Sequence, residues 1–306
     1  MHSRGLIAVD KMGAKVLFLD PVSYAIEAVL DGFQRTVHEL LVLPEQGRAY
    51  VPIFGDGIHG RNPNPGHTLH VIDLHKRARV ADIDLRPYIA PHTLKRGPGG
   101  LIYITCENSA VVAIIDPATD TVVGAIETGS TNAHRLIISP DGKRLYTENE
   151  EDGEISVIDL AARRLVGKIR TPHPLAGIAI SADGRTVVAV DDAAPNLFLV
   201  DTVSEQIRTM PLDGVPKAAQ IARYSGDFSL LGVTSLNSNT VSLIDPAFTQ
   251  QTAIAVGSQP MDMAFHGDAL FVACQGDGSV HVIDVPARQW KASFQAGTGC
   301  ESLAFF

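Results

Sequence analysis

One segment recurs seven times along this chain: a short apolar run that ends in aspartate. The seven aspartates are Asp20, Asp73, Asp116, Asp159, Asp201, Asp245 and Asp284. Their spacings lie between 39 and 53 residues, and a period of about 40–45 residues is typical of the blades of a β-propeller. Each aspartate is expected to cap a turn, because Asp carboxylates bind the backbone N–H groups that follow them.

The unit around each aspartate contains four short apolar runs, separated by turns rich in Gly, Asp and Pro. Short runs rich in Val, Ile and Leu between such turns are typical of β-strands. Four strands in each of seven units predict an all-β chain. We expect a single seven-bladed β-propeller domain over residues 1–306.

The two ends of the sequence complement each other in this scheme. The sequence opens with LIAV, VLFLD and AIEAVL, which match second, third and fourth strands, and it ends with ESLAFF, which matches a first strand. The last residues are therefore expected to complete the first blade and to leave no open blade edge between the termini. Loss of ESLAFF is expected to destabilise the whole ring.

The repeat units resemble the YVTN family of β-propeller repeats over essentially the whole chain. The units IYITCENSAVVAIIDPATDTVVGAIETGSTNAHRLIISPDGKR and LFVACQGDGSVHVIDVPARQW carry the resemblance most clearly. It implies the seven-bladed fold. It leaves the activity open, because such propellers include lactonase-like enzymes, lyases and non-catalytic binding scaffolds.

Composition narrows the choice of partners and of compartment. A net charge of −9 argues against a nucleic-acid partner, which normally requires a basic surface. The sequence lacks the long apolar runs expected of a membrane span or a signal peptide. The odd number of cysteines, three, favours reduced thiols and hence a cytoplasmic location. The oligomeric state stays open.

The first residues of the innermost strands should surround the mouth of the central channel. Alignment of these strands puts one residue of each unit at the same position: His38, His92, His134, Ala176, Lys217, Met261 and Glu301. Glu301 belongs to the blade that closes the circle, so it should neighbour His38. Three imidazoles and one carboxylate are therefore expected to converge from four consecutive blades.

These four residues are candidate ligands of a divalent transition metal. Imidazole and carboxylate suit Zn, Fe, Mn, Ni or Cu better than Ca or Mg, and some catalytic zinc ions are held by three histidines. The alternative is a structural cluster, because the YVTN repeat often carries histidine here, where it can bind the turn or channel water. Against that alternative, the histidines are retained only in adjoining units that also gain Glu301.

Further candidates lie near this ring. Glu148 and Glu107 end strands beside histidine-bearing blades and are candidate general bases, with a solvated acidic rim as the alternative. His59, in the long segment FGDGIHGRNPNPGH, is a candidate for proton transfer or for a lid contact, or else an exposed loop histidine.

Two cationic residues are candidates for binding an anionic substrate group. Lys217 is expected across the ring from the histidines, and Arg135 directly follows His134. Since neighbours on a strand alternate faces, the side chains of Arg135 and Glu39 are expected in the gap between blades.

Together these features favour a metal-dependent enzyme that acts on a small polar or anionic molecule at the channel mouth. Lactone hydrolysis and lyase or isomerase chemistry are the expected reaction classes, by similarity to propeller enzymes. Two alternatives stay open: a non-catalytic scaffold or ligand-binding propeller, and an oxygen-activating enzyme with three His and one Glu.

Overall fold

Seven four-stranded antiparallel sheets make up the fold in the computed structural model, which describes residues 5–58 and 61–306. The innermost strands of successive sheets contact one another all the way round, so the sheets form a closed ring. This confirms the predicted all-β, seven-bladed propeller. None of the helices among the described residues is both long and apolar enough to cross a membrane.

The blades follow one another along the chain. The first blade to begin contains β1 (Leu6–Asp10), β2 (Lys15–Leu19) and β3 (Ile26–Leu30). The next three blades are β4 (Leu41–Leu43), β5 (Arg48–Gly55), β6 (Pro65–Asp73) and β7 (Ala78–Asp84); β8 (Pro91–Arg96), β9 (Ile102–Cys106), β10 (Val111–Asp116) and β11 (Thr121–Glu127); and β12 (Ala133–Ile138), β13 (Arg144–Asn149), β14 (Glu154–Asp159) and β15 (Arg164–Arg170).

The remaining strands complete the ring. They are β16 (Leu175–Ile180), β17 (Thr186–Asp191), β18 (Asn196–Asp201) and β19 (Ile207–Pro211); β20 (Ile221–Tyr224), β21 (Leu231–Ser235), β22 (Thr240–Ile244) and β23 (Gln251–Ala255); β24 (Pro260–His266), β25 (Ala269–Cys274), β26 (Ser279–Asp284) and β27 (Gln289–Gln295); and β28 (Cys300–Phe305). Short 3-10 helices cover Pro44–Gln46, Pro98–Gly100, Glu107–Ser109 and Glu150–Asp152.

The seven repeated aspartates cap turns, as predicted. Each carboxylate accepts hydrogen bonds from backbone N–H groups two to five residues further on. Asp201, for example, binds the N–H of Val203 at 3.0 Å and that of Ser204 at 2.8 Å. The recurring motif is therefore structural, because it fixes the hairpin between the third and fourth strand of every blade.

The hydrophobic core lies between neighbouring blades. One cluster joins Val188 and Leu197 of one sheet to Leu231 and Val233 of the next, and all four are fully buried. Inner strands such as β17 and β21 have buried side chains on both faces, because each sheet packs against two others. The three cysteines are buried free thiols.

The ring closes where the sequence predicts. Strand β28 pairs with β1 in register from Leu6 and Phe305 to Asp10 and Cys300, and this gives the sheet order β28-β1-β2-β3. The Asp10 carboxylate also accepts the N–H of Gly299 at 2.8 Å. The ends of the chain are thus joined by hydrogen bonds within one blade.

A β-bulge recurs near the start of the innermost strand. The register shifts by one residue between Ala133 and Arg135 and at the matching points of four other blades. A bulge inserts an extra residue and breaks the alternation of side chains between the two faces. Two consecutive residues of one strand can therefore face the channel.

Candidate functional site

Three buried histidines meet at one end of the central channel. His92 lies in the middle: its ring centroid is 4.3 Å from that of His38 and 4.0 Å from that of His134. The Nε2 atoms of His92 and His134 are 2.9 Å apart. The structure thus brings together the three imidazoles that the sequence placed on consecutive blades.

The residues just after the histidines also reach the channel, contrary to the expected position in the gap between blades. Arg135 donates a hydrogen bond from its guanidinium to the Glu39 carboxylate, although the two residues lie on non-adjacent blades. The bulge is the physical reason, because it turns Arg135 to the same side as His134. Attraction by Arg135 and Lys95 keeps the pKa of Glu39 below its usual value, although burial acts to raise it.

Lys217 is not a member of the ring. It is exposed and precedes β20, which begins at Ile221 opposite Thr234. In the blade of His134, the next residue, Arg135, pairs with Glu148 near the end of the second strand. In the blade of β20, Ile221 pairs with Thr234 at the same point, so Ile221 corresponds to Arg135. The ring position of that blade is therefore Gln220. The irregular segment before β20 shifted the sequence alignment by three residues.

Two carboxylates contact the Nδ1 atom of His134. Glu148 Oε1 lies 2.8 Å from His134 Nδ1, and Glu150 Oε2 lies 3.2 Å from the same nitrogen. Glu107 and Glu148 are both buried. Burial raises the pKa of Glu107 well above its usual value, and repulsion from Glu150 and Glu148 adds to the effect. Glu107 can therefore keep its proton at a pH where an exposed carboxyl has lost it.

Glu301 contacts His38, Lys11 and Gln275. Its Oε1 atom lies 3.3 Å from His38 Nδ1 and 3.0 Å from Lys11 Nζ, and its Oε2 atom accepts from the Gln275 amide. Lys11 Nζ is also 3.0 Å from His38 Nε2. Burial raises the pKa of Glu301, against the attraction of Lys11.

Lys11 follows the second strand of its blade as Glu107 follows the second strand of its own. The sequence marks Glu107 because it directly follows the second strand of a blade. The same criterion, applied to the first blade, marks Lys11. Gln275 follows β25 in the same way. Nothing in the residue pattern marks it as a partner of Glu301.

His59 lies outside the described residues, so its predicted role as a proton-transfer group or lid contact stays a prediction. The segment on either side of it borders a cleft of about 740 Å³ at the rim. The cleft is lined by Asp56, Gly57, Ile58, Arg61, Asn62, Pro63 and Asn108. The amide of Asn62 binds the Phe54 carbonyl at 2.7 Å and ties this segment to β5.

Two sets of donor atoms among the described residues could each hold a metal ion, and neither set includes the predicted ligand Glu301. Two groups, His38–Glu39–His92 and His92–Glu107–His134, each place their donor atoms within 4.8 Å of one another. Burial and the neighbouring His134 and His38 hold the pKa of His92 well below its usual range, so its imidazole is neutral, as a metal ligand must be. Nitrogen and carboxylate donors favour a transition metal.

Comparisons with known proteins agree on the fold. The sequence model of the Cytochrome D1 heme domain family matches residues 96–226, less than half of the chain. The periplasmic gluconolactonase PpgL of Pseudomonas aeruginosa has a TM-score of 0.77 and 18% identity, and covers 98% of both chains. Hydrazine synthase of Kuenenia stuttgartiensis has a TM-score of 0.70 and 18% identity, with 87% of this chain and 88% of that chain covered. No curated protein matches the sequence.

At such low identity these likenesses describe the propeller and leave the activity open. The resemblance to the YVTN repeat stays a prediction.

Proposed function

We propose that this protein is a metal-dependent enzyme that acts on a small polar or anionic molecule at the histidine end of its channel. The observation that carries the proposal is the convergence of His38, His92 and His134, three buried imidazoles flanked by the carboxylates of Glu39 and Glu107. Burying so many titratable groups together is unfavourable, and such groups cluster at functional sites. A functional site therefore explains the cluster better than a purely structural role does.

Hydrolysis of a lactone is the reaction class that the site supports best. A bound divalent ion would supply Lewis-acid polarisation of a carbonyl and a water of lowered pKa. In this scheme Glu107 is not itself a metal ligand, and its raised pKa lets it hold and release a proton beside His92 and His134. Glu148 fixes the ring orientation of His134 through Nδ1. The likeness in fold to a gluconolactonase supports the same class.

The name of the matching family raises haem as a second possible group. The three rings do not fit it well: centroid separations of 4.0 and 4.3 Å leave no slot between them for a macrocycle. The site therefore suits a single ion rather than haem.

Metal content tests the proposal directly. Protein prepared without a histidine tag should contain about one transition-metal ion per chain by elemental analysis. The variant His92→Ala/His134→Ala should lose that ion, because both imidazoles belong to the donor groups. His75→Ala, at an exposed turn, is the matched control and should retain the ion.

Activity is measured as acid release from small sugar lactones at constant pH. The metal-loaded protein should hydrolyse at least one of them faster than the double variant by about 100-fold or more. Elimination or isomerisation products would instead favour the lyase or isomerase alternative, and oxygen consumption would favour the oxygen-activating one. If the protein contains negligible metal even after attempted reloading, the enzyme proposal is wrong and the non-catalytic scaffold or ligand-binding propeller is favoured. A cytoplasmic location stays part of the proposal.

A further inference from the structure

A second polar cavity lies deeper in the channel, on the other side of the Glu39–Arg135 ion pair from His92. Its volume is about 160 Å³. Along strand β8, Lys95 stands three residues beyond His92, or about 10 Å at the usual rise of a strand. The charged side chains on its wall are Glu39, Lys95, Arg135 and Arg223, and the apolar wall includes Ile178 and Ile221.

The cations of this cavity outnumber their carboxylate partners. Arg135 is paired with Glu39, and Arg223 Nη2 lies 2.8 Å from Asp262 Oδ1. Lys95 has no hydrogen-bond or ion-pair partner anywhere in residues 5–58 and 61–306. Its ammonium group therefore faces the channel with a positive charge that the protein itself leaves without a direct partner.

An unpaired cation in a poorly solvated cavity is unfavourable unless an anion accompanies it. Arg223 has further N–H groups besides the one that binds Asp262, because a guanidinium carries five. Donors thus exceed acceptors around this partly open cavity.

We propose that this cavity binds a small oxyanion, a carboxylate or a phosphate, held chiefly by the Lys95 ammonium and the spare N–H groups of Arg223. A water occupies about 30 Å³ in the liquid, so the cavity has room for about five waters or for an anion of similar bulk. A monovalent or divalent anion would bring the local charge close to balance. The site is distinct from the histidine end and does not depend on a bound metal.

Titration calorimetry with phosphate, sulfate and acetate, at constant ionic strength in sodium chloride, tests the site. At least one of these anions should bind saturably with one site per chain. Comparison of phosphate and sulfate with acetate distinguishes the two sources of the oxyanion. Lys95→Met should weaken binding at least about tenfold, since charge-assisted hydrogen bonds are the strong ones. Lys217→Met, at an exposed lysine, is the matched control and should bind as the parent does.

Arg223→Gln is a second variant, at a half-exposed position where folding should be preserved. It should also weaken the oxyanion, and both variants should retain the parent metal content. Equal affinity in Lys95→Met and Lys217→Met would overturn the proposal. The proposal would also be overturned if none of the three anions showed saturable binding up to about 50 mM, because the dissociation constant would then lie well above 1 mM.

Discussion

Glu148 contacts two neighbouring groups of the candidate site through one carboxylate oxygen. It is fully buried, and its Oε1 atom accepts both from His134 Nδ1 and from the Arg135 N–H at 3.1 Å. A carboxylate on the far nitrogen of an imidazole fixes the ring and makes the other nitrogen a better ligand. We therefore propose that Glu148 acts as a positioning residue and that Glu107 carries the proton.

Glu148→Gln should therefore weaken metal binding about 10- to 100-fold, the usual cost of losing such a partner. Competition with a chromogenic chelator measures the affinity. Glu127→Gln, at the exposed end of β11, is the matched control and should leave the affinity unchanged. Equal affinities in the two variants would show that Glu148 does not act through His134.

Lys95 makes a prediction about stability. Burial lowers its pKa to about 8, helped by repulsion from Arg223 and Arg135 and opposed by Glu39 and Asp262. The pKa of Lys95 in the unfolded chain is about 10.5, so between pH 8 and 10.5 the unfolded chain binds more protons at this residue than the folded chain. The contribution of Lys95 to the unfolding free energy should therefore rise with pH over this range. Below pH 8 both states are protonated and the cost of burying the charge is present in full.

Urea unfolding at pH 8 and pH 10 measures this contribution. The difference in unfolding free energy between the parent and Lys95→Met should move in favour of the parent at the higher pH. The same comparison with Lys217→Met should show no such movement. A pH-independent difference for Lys95→Met would mean that Lys95 titrates as in the unfolded chain.

At the scale of elements, strand β28 is the element on which the ring depends. Leu303 is 1% exposed and packs with Leu6, Ala8 and Leu17 of the same blade. Leu303→Ala should reduce the unfolding free energy by about 2–5 kcal/mol, the range for a buried leucine. Val22→Ala, at a side chain that is 83% exposed, should change it by less than about 0.5 kcal/mol.

Removal of ESLAFF, residues 301–306, should destabilise the whole ring, as expected from the sequence, because it exposes the edge of β1. A circular permutant that moves these residues ahead of Leu6 keeps the pairing and should restore folding. Circular dichroism and thermal melts report both outcomes. A stable truncated ring would contradict the assigned role of β28.

The element scale also explains what the sequence could and could not predict. The period of the aspartates and the apolar runs predict the blades and the closure, because strand hydrophobicity and turn capping are local properties. The direction of Arg135 was missed because a bulge leaves no mark in the residue pattern. The place of Gln220 was missed because the irregular chain before β20 changes the register by three residues.

Over the whole molecule, every blade is packed between two others, and the last is joined to the first. We expect such a closed ring of blades to unfold cooperatively, as one domain. Differential scanning calorimetry should give one transition whose calorimetric and van't Hoff enthalpies agree. Two resolved transitions, or a ratio of these enthalpies well above one, would show that groups of blades unfold separately.

The recurring bulge has a consequence for protein design. Because it adds a residue to the innermost strand of five blades, the imidazole layer and the Glu39–Arg135 layer beneath it occupy separate sequence positions. Ala176, Gln220 and Met261 hold the equivalent places on the blades without histidine. Metal-donor side chains could be introduced at these positions one blade at a time. The number and type of ligands at the channel mouth could thus be varied while the propeller stays the same.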